Sequence, residues 1–139
     1  MPRSAVSLLL IVCLLAPFVA SGCGLNVTSP DLFLLRRTGQ GKPLTLLVSD
    51  DGTIRCNNGN ARPLSDQLLL RARDLSSDLD KDAKASLRLP SGPAAVFTYQ
   101  IRLQNGTISF PDTAAAAHHE LAQAELFAVQ AAQSACGLS

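Results

Sequence analysis

Tryptophan is absent from this chain of 139 residues, tyrosine and methionine occur once each, and histidine occurs twice. Aromatic residues make up 4% of the sequence, too few to stack a run of bases, and its lysines and arginines form no stripe. Nucleic acid is therefore not an expected partner. The charged residues nearly cancel, leaving a formal net charge of +1. A long uncharged apolar run extends from Ala5 to Ala20. It is shorter than the ~20 residues a membrane-spanning helix needs, and Pro17 interrupts its end. No Lys/Arg cluster follows it closely, as a stop-transfer anchor requires.

Catalytic motifs are scarce too. The two histidines are adjacent, in "HHELAQAE" (His118 to Glu125). A zincin helix needs His-Glu-x-x-His, and Gln123 stands where the second histidine belongs. "DLDKDAKASLRL" opens with Asp78, Asp80 and Asp82 at alternate positions, as a calcium loop does. Its sixth residue is Ala83 instead of glycine and its twelfth is Leu89 instead of glutamate. A solvated helix end, with Asp80 and Lys84 paired at i,i+4, accounts for it better. "RTGQGKP" has Arg36 in place of the first glycine of a phosphate loop, and Pro43 follows Lys42 where Ser/Thr is required. Ser91 has no nucleophile-elbow context. The chain is thus read as a non-enzyme with no cofactor. A ligand- or metal-carrier reading would have only His118, His119 and the Asp78 to Asp82 carboxylates to use.

What is present starts at the N-terminus. Arg3, the apolar run and the small residues Ala20, Ser21 and Gly22 follow the layout of a signal peptide over residues 1–22. The stretch Ala20-Ser21-Gly22-Cys23 resembles the bacterial lipobox. That resemblance implies cleavage before Cys23, lipidation of its thiol, and anchoring at the extracytoplasmic face of a cell membrane. Residues 23–30 then form the lipidated N-terminus and tether, and residues 31–139 a single domain. The alternative, ordinary cleavage at the same bond, leaves a free thiol. Cysteine parity bears on the choice. Of four cysteines, Cys13 leaves with the signal, and Cys23, Cys56 and Cys136 remain. An odd cysteine in an exported chain needs an explanation. Lipid on Cys23 supplies one and leaves Cys56 and Cys136 as an expected disulfide.

The mature chain divides at its turn residues. Asp31 to Gly39 and Leu44 to Ser49 read as strands, the second with Leu44, Leu46 and Val48 alternating. Asp50-Asp51-Gly52 is a turn and Thr53 to Cys56 a third strand, followed by a loop over Asn57 to Pro63. Ser65 is a good N-cap, Asp66 suits the first helical turn, and Leu64 and Leu69 form a hydrophobic staple. Leu68, Ala72, Leu75 and Leu79 line one face of that helix, which is expected to fray between Leu79 and Ser86. "AVFTYQIRLQNGTISF" predicts a hairpin with Asn105-Gly106 as a type I′ turn, pairing Leu103 with Ile108 and Ile101 with Phe110. A last helix starts at Pro111-Asp112-Thr113, capped by Asp112 or Thr113, with Leu121, Val129, Ala132 and Cys136 on one face. Phe127 falls on its polar side by helical angle and is a candidate partner-surface residue. The order βββ-α-ββ-α describes an α+β domain, about five antiparallel strands with two helices on one face.

The segments "FLLRRTGQG", "DGTIRC", "RPLSDQLLLRARDL" and "FTYQIRLQNGTISFPD" resemble, in their order, the small secreted domains of the emfourin type. These are inhibitors of thermolysin-like metalloproteases, and similar domains occur in small lipoproteins of high-GC bacteria. The family's Gly-Gly and hydrophobic stretch after the first strand is Gly39-Gln40-Gly41-Lys42 here. The resemblance implies a protease partner, met through that turn. The leading expectation is a membrane-anchored lipoprotein with a binding or accessory role in the cell envelope, for which an envelope component is the other possible protein partner.

Overall fold

The computed structural model of the chain describes Val27 and residues 30–139. The expected signal peptide, Cys23 and most of the tether lie outside the described residues. Six strands form one antiparallel sheet: β1 (Asp31–Gly39), β2 (Leu44–Ser49), β3 (Thr53–Cys56), β4 (Ala61–Pro63), β5 (Phe97–Leu103) and β6 (Gly106–Pro111). Their spatial order is β4-β3-β2-β1-β5-β6. Three helices, α1 (Asp66–Asp78), α2 (Asp80–Lys84) and α3 (His119–Ser134), pack on one face. Among the described residues no helix is long and apolar enough to cross a membrane.

Strand alternation sets which face the helices cover. Leu35 in the central strand lies opposite Leu46 of β2 and Ile101 of β5. Leu46 lies opposite Cys56, and Ile101 opposite Ile108. One cross-sheet row thus runs Cys56, Leu46, Leu35, Ile101, Ile108, and its four aliphatic members are buried to 1% exposure or less. Burying each aliphatic side chain contributes about 1.5–3 kcal/mol. Against that row lie Leu68, Ala72 and Leu75 of α1, with Leu121, Ala124 and Ala128 of α3. Ser65 caps α1, its hydroxyl accepting from the Leu68 N–H, and Leu64 is buried beneath the first turn. Arg71 Nη1 donates to Gln130 Oε1 and ties α1 to α3. The buried core of the described residues runs from Phe33 to Cys136. A chain from Cys23 onward therefore carries the whole sheet, all three helices and the disulfide described below.

Several details depart from the sequence expectation. Residues 61–63, read as loop, form β4 against β3, pairing Ile54 with Arg62 and Arg55 with Ala61. Asn57 and Asn58 at positive φ turn the chain there, with the Gly59 N–H bonded to the Cys56 carbonyl at 2.9 Å. The helix does not fray after Leu79: α2 continues it and buries Ala83. A 3₁₀ turn, Asp112–Ala116, precedes α3, whose N-cap His118 makes no side-chain bond. Asp112 caps neither element; its carboxylate accepts from the Val96 and Phe97 N–H groups and pins the start of β5.

The β5–β6 hairpin forms with its register moved by two residues. Leu103 faces Gly106, Ile101 faces Ile108 and Tyr99 faces Phe110. Gln104 and Asn105 make the turn, and Asn105 is not at positive φ. Gly106 serves a different purpose. A Cβ there would stand 2.0 Å from the Ala83 carbonyl oxygen, so its bareness admits the end of α2 against β6. Asn105 Nδ2 donates to Asp80 Oδ1 at 2.7 Å and fastens the turn to the same helix.

Candidate functional site

Cys56 ends β3, and Cys136 lies just beyond α3. They are joined as a disulfide, Cα–Cα 5.9 Å, across a sequence separation of 80. Arg62 Nη1 of β4 donates to the Cys136 carbonyl and reinforces the same junction. The expected pairing is thus present, and it joins the far strands of the sheet to the end of the last helix. Cys23 lies outside the described residues.

The Gly39-Gln40-Gly41-Lys42 loop is exposed throughout. Its base is fixed: Gly39 sits at φ +138°, where an added Cβ would meet the Val96 carbonyl oxygen at 2.1 Å. The Gln40 N–H bonds that carbonyl at 3.3 Å. On the helix side the loop borders an open concavity of about 290 Å³ formed by Lys42, Pro43, Val129, Gln133 and Leu138. Val129 and Leu138 are among the chain's exposed large apolar residues.

Phe127 is not part of this surface. It is 1% exposed, and its ring packs edge-on against Phe33. By helical angle alone Phe127 falls on the polar side. In the fold α3 also packs against α1. Its buried arc therefore widens to take in Ala124, Phe127 and Ala131, while Val129, expected inside, faces out.

Behind Arg37 lies a small polar group that sequence periodicity did not single out. Arg37 and Tyr99 are opposed on β1 and β5. The Arg37 guanidinium stands 4.8 Å over the Phe97 ring, beside the Tyr99 phenol. Glu125 reaches this corner from α3. Burial, and secondarily the Asp112 charge, push its carboxyl up to about 7. Burial also raises Tyr99, helped by Glu125 and opposed by Arg37. Arg37 Nε and Glu125 Oε1 are buried without a hydrogen-bond partner.

The remaining candidates are dispersed. His118 lies 3.7 Å from Glu120, and His119 is exposed. Asp80 pairs with Lys84 at 2.6 Å, the i,i+4 contact expected of a solvated helix end. Its carboxyl is lowered by the Asn105 bond first and by Lys84 second. Among the described residues no three His, Cys, Asp or Glu side chains gather as a metal site. No protein-family model, curated protein or solved structure matches this chain.

Proposed function

We propose that this protein is a membrane-tethered, non-catalytic binding module displayed outside the cytoplasm. Cys23 carries the lipid, residues 24–30 form the tether, and the domain from Asp31 does the recognition. The observation that supports this most is the Cys56–Cys136 bond. It takes two of the three cysteines that follow the Ala20-Ser21-Gly22 stretch and leaves Cys23 as the odd one. A thiol bearing two or three acyl chains holds a domain stably at a bilayer, where one chain holds only marginally. Intact mass of the protein extracted from membranes tests the reading. A mature chain starting at Cys23 with acyl mass added, and two further cysteines oxidised, is the expected result. An unacylated Cys23, or Cys23 in a disulfide, would overturn it.

A second reading makes the domain a protease inhibitor acting through Gly39 to Lys42. The rigid base and full exposure of that loop favour it, since preorganisation lowers the cost of binding. Replacing Gln40 and Lys42 by alanine should weaken inhibition of a thermolysin-like protease at least tenfold; undiminished inhibition would remove the loop from the interface.

A further inference from the structure

The sheet has a second face that none of the described helices covers, and its charge is one-sided. Register and alternation place Arg55, Leu47, Leu34, Arg102 and Thr107 in one cross-sheet row on that face. The next row holds Thr45, Arg36, Gln100 and Ser109, and Arg88 extends it through a parallel bridge to Ser109. Arg36, Arg55, Arg88 and Arg102 are all exposed. Asp31, at the end of β1, is the one acidic residue within any strand, and Asp51 lies in the turn beside it. The helices of the opposite layer carry the acids Asp66, Asp74, Asp78, Asp80, Asp82, Glu120 and Glu125 against Arg71, Arg73, Lys81 and Lys84, a net excess of acid. A chain of nearly zero net charge is thus folded into a basic sheet face and an acidic helical layer.

We propose that the helix-free face of the sheet is a docking surface for anionic phospholipid headgroups. The proposal relies on the tether reading to bring the domain to a bilayer. Three features choose the occupant. From Arg55 on β3 to Arg88 beyond β6 the arginines are spread over about five strand spacings, ~24 Å, and do not converge on one point. That suits a field of phosphates better than a single small anion. Among the described residues no aromatic ring lies on this face to stack a base, because the strand aromatics Phe33, Phe97, Tyr99 and Phe110 are on the helix side or buried. Leu34 is buried and Leu47 half-buried, so the face offers guanidinium, hydroxyl and amide donors at headgroup depth and no apolar wedge. The tether fits this orientation. Cys23 precedes β1 by a segment that can extend about 27 Å, enough for the sheet to lie flat on the surface.

The test uses the chain from Cys23 onward with Cys23→Ser, which carries no acyl group, and sedimentation with vesicles. One set is phosphatidylcholine alone; the other replaces part of it with phosphatidylglycerol. Binding to the anionic set only, lost as salt shortens the screening length to about 3 Å, is expected. R36Q/R88Q should weaken partitioning about 25-fold, roughly fivefold per arginine. K81Q, on the acidic layer, should bind as the parent does, and near-UV circular dichroism verifies that each variant is folded. Equal binding to both vesicle sets, or R36Q/R88Q binding as well as K81Q, would overturn the proposal. Failure here with an acylated Cys23 in the mass measurement removes the docking face and leaves the anchor; the converse pair of results removes the anchor and leaves the docking face.

Discussion

The ring of Phe127 stands edge-on to that of Phe33, with centroids 5.6 Å apart and planes at 77°. This contact joins α3 to the central strand of the sheet, and both rings are almost wholly buried. Phe127→Ala should cost about 3–5 kcal/mol in urea unfolding. A double-mutant cycle with Phe33→Ala should show about 0.5–1.5 kcal/mol of coupling. A Phe127→Ala protein as stable as the parent would mean that the ring is not in the core.

The Cys56–Cys136 bond should be a major part of stability. Closing so long a loop restrains the unfolded chain by about 4 kcal/mol in the chain-entropy account. The double variant Cys56→Ser/Cys136→Ser is expected to lose about 2–5 kcal/mol, read from denaturant midpoints under identical conditions. Reductant should shift the parent's midpoint in the same direction and leave the variant's in place.

Gly106 should tolerate no side chain. Gly106→Ala places a methyl against the Ala83 carbonyl oxygen, and about 1–3 kcal/mol should be lost as α2 is pushed off β6. Gly92→Ala, with open space around the new atom, should stay within about 0.5 kcal/mol of the parent. Thermal midpoints of the two variants settle the contrast.

Much of this architecture is legible in the sequence, and the misses have physical causes. Leu44, Leu46 and Val48 announce their strand, and Ser65 announces its helix, because burial and capping act on nearby residues. Ala61 to Pro63 are exposed on both faces, so no apolar period marks β4. The hairpin register slipped by two, not one, and such a slip keeps every side chain on its face. The hydrophobic pattern is therefore satisfied by either pairing, and the choice falls to a long-range contact, Gly106 beneath Ala83. Phe127 escapes the helical-angle reading for the same kind of reason, since Phe33 of the central strand, a residue distant in sequence, packs against it. The basic sheet face emerges only when strands distant in sequence are laid side by side.

Glu125 should make stability depend on pH. Its folded carboxyl titrates at about 7, against an ordinary value of 4.5, so the folded state holds the proton more tightly than the unfolded chain. The sign follows: its contribution is most favourable below pH 4.5 and is lost as pH rises through 7. Glu125→Gln should flatten the decline between those values and raise the thermal midpoint at pH 8 relative to the parent. Parallel profiles for the two proteins would show that this carboxyl is not responsible.

The central strand of the sheet is the first to be synthesised, and its second neighbour, β5, follows only after α1 and α2. Cys56 likewise waits 80 residues for Cys136. The β1–β5 and β5–β6 pairings therefore wait for residues 97–111, and the Cys56–Cys136 bond waits until almost the whole chain has emerged. A nascent chain can form the β1–β4 meander early but cannot close the domain. That delay makes completion of the last helix the event that locks the structure.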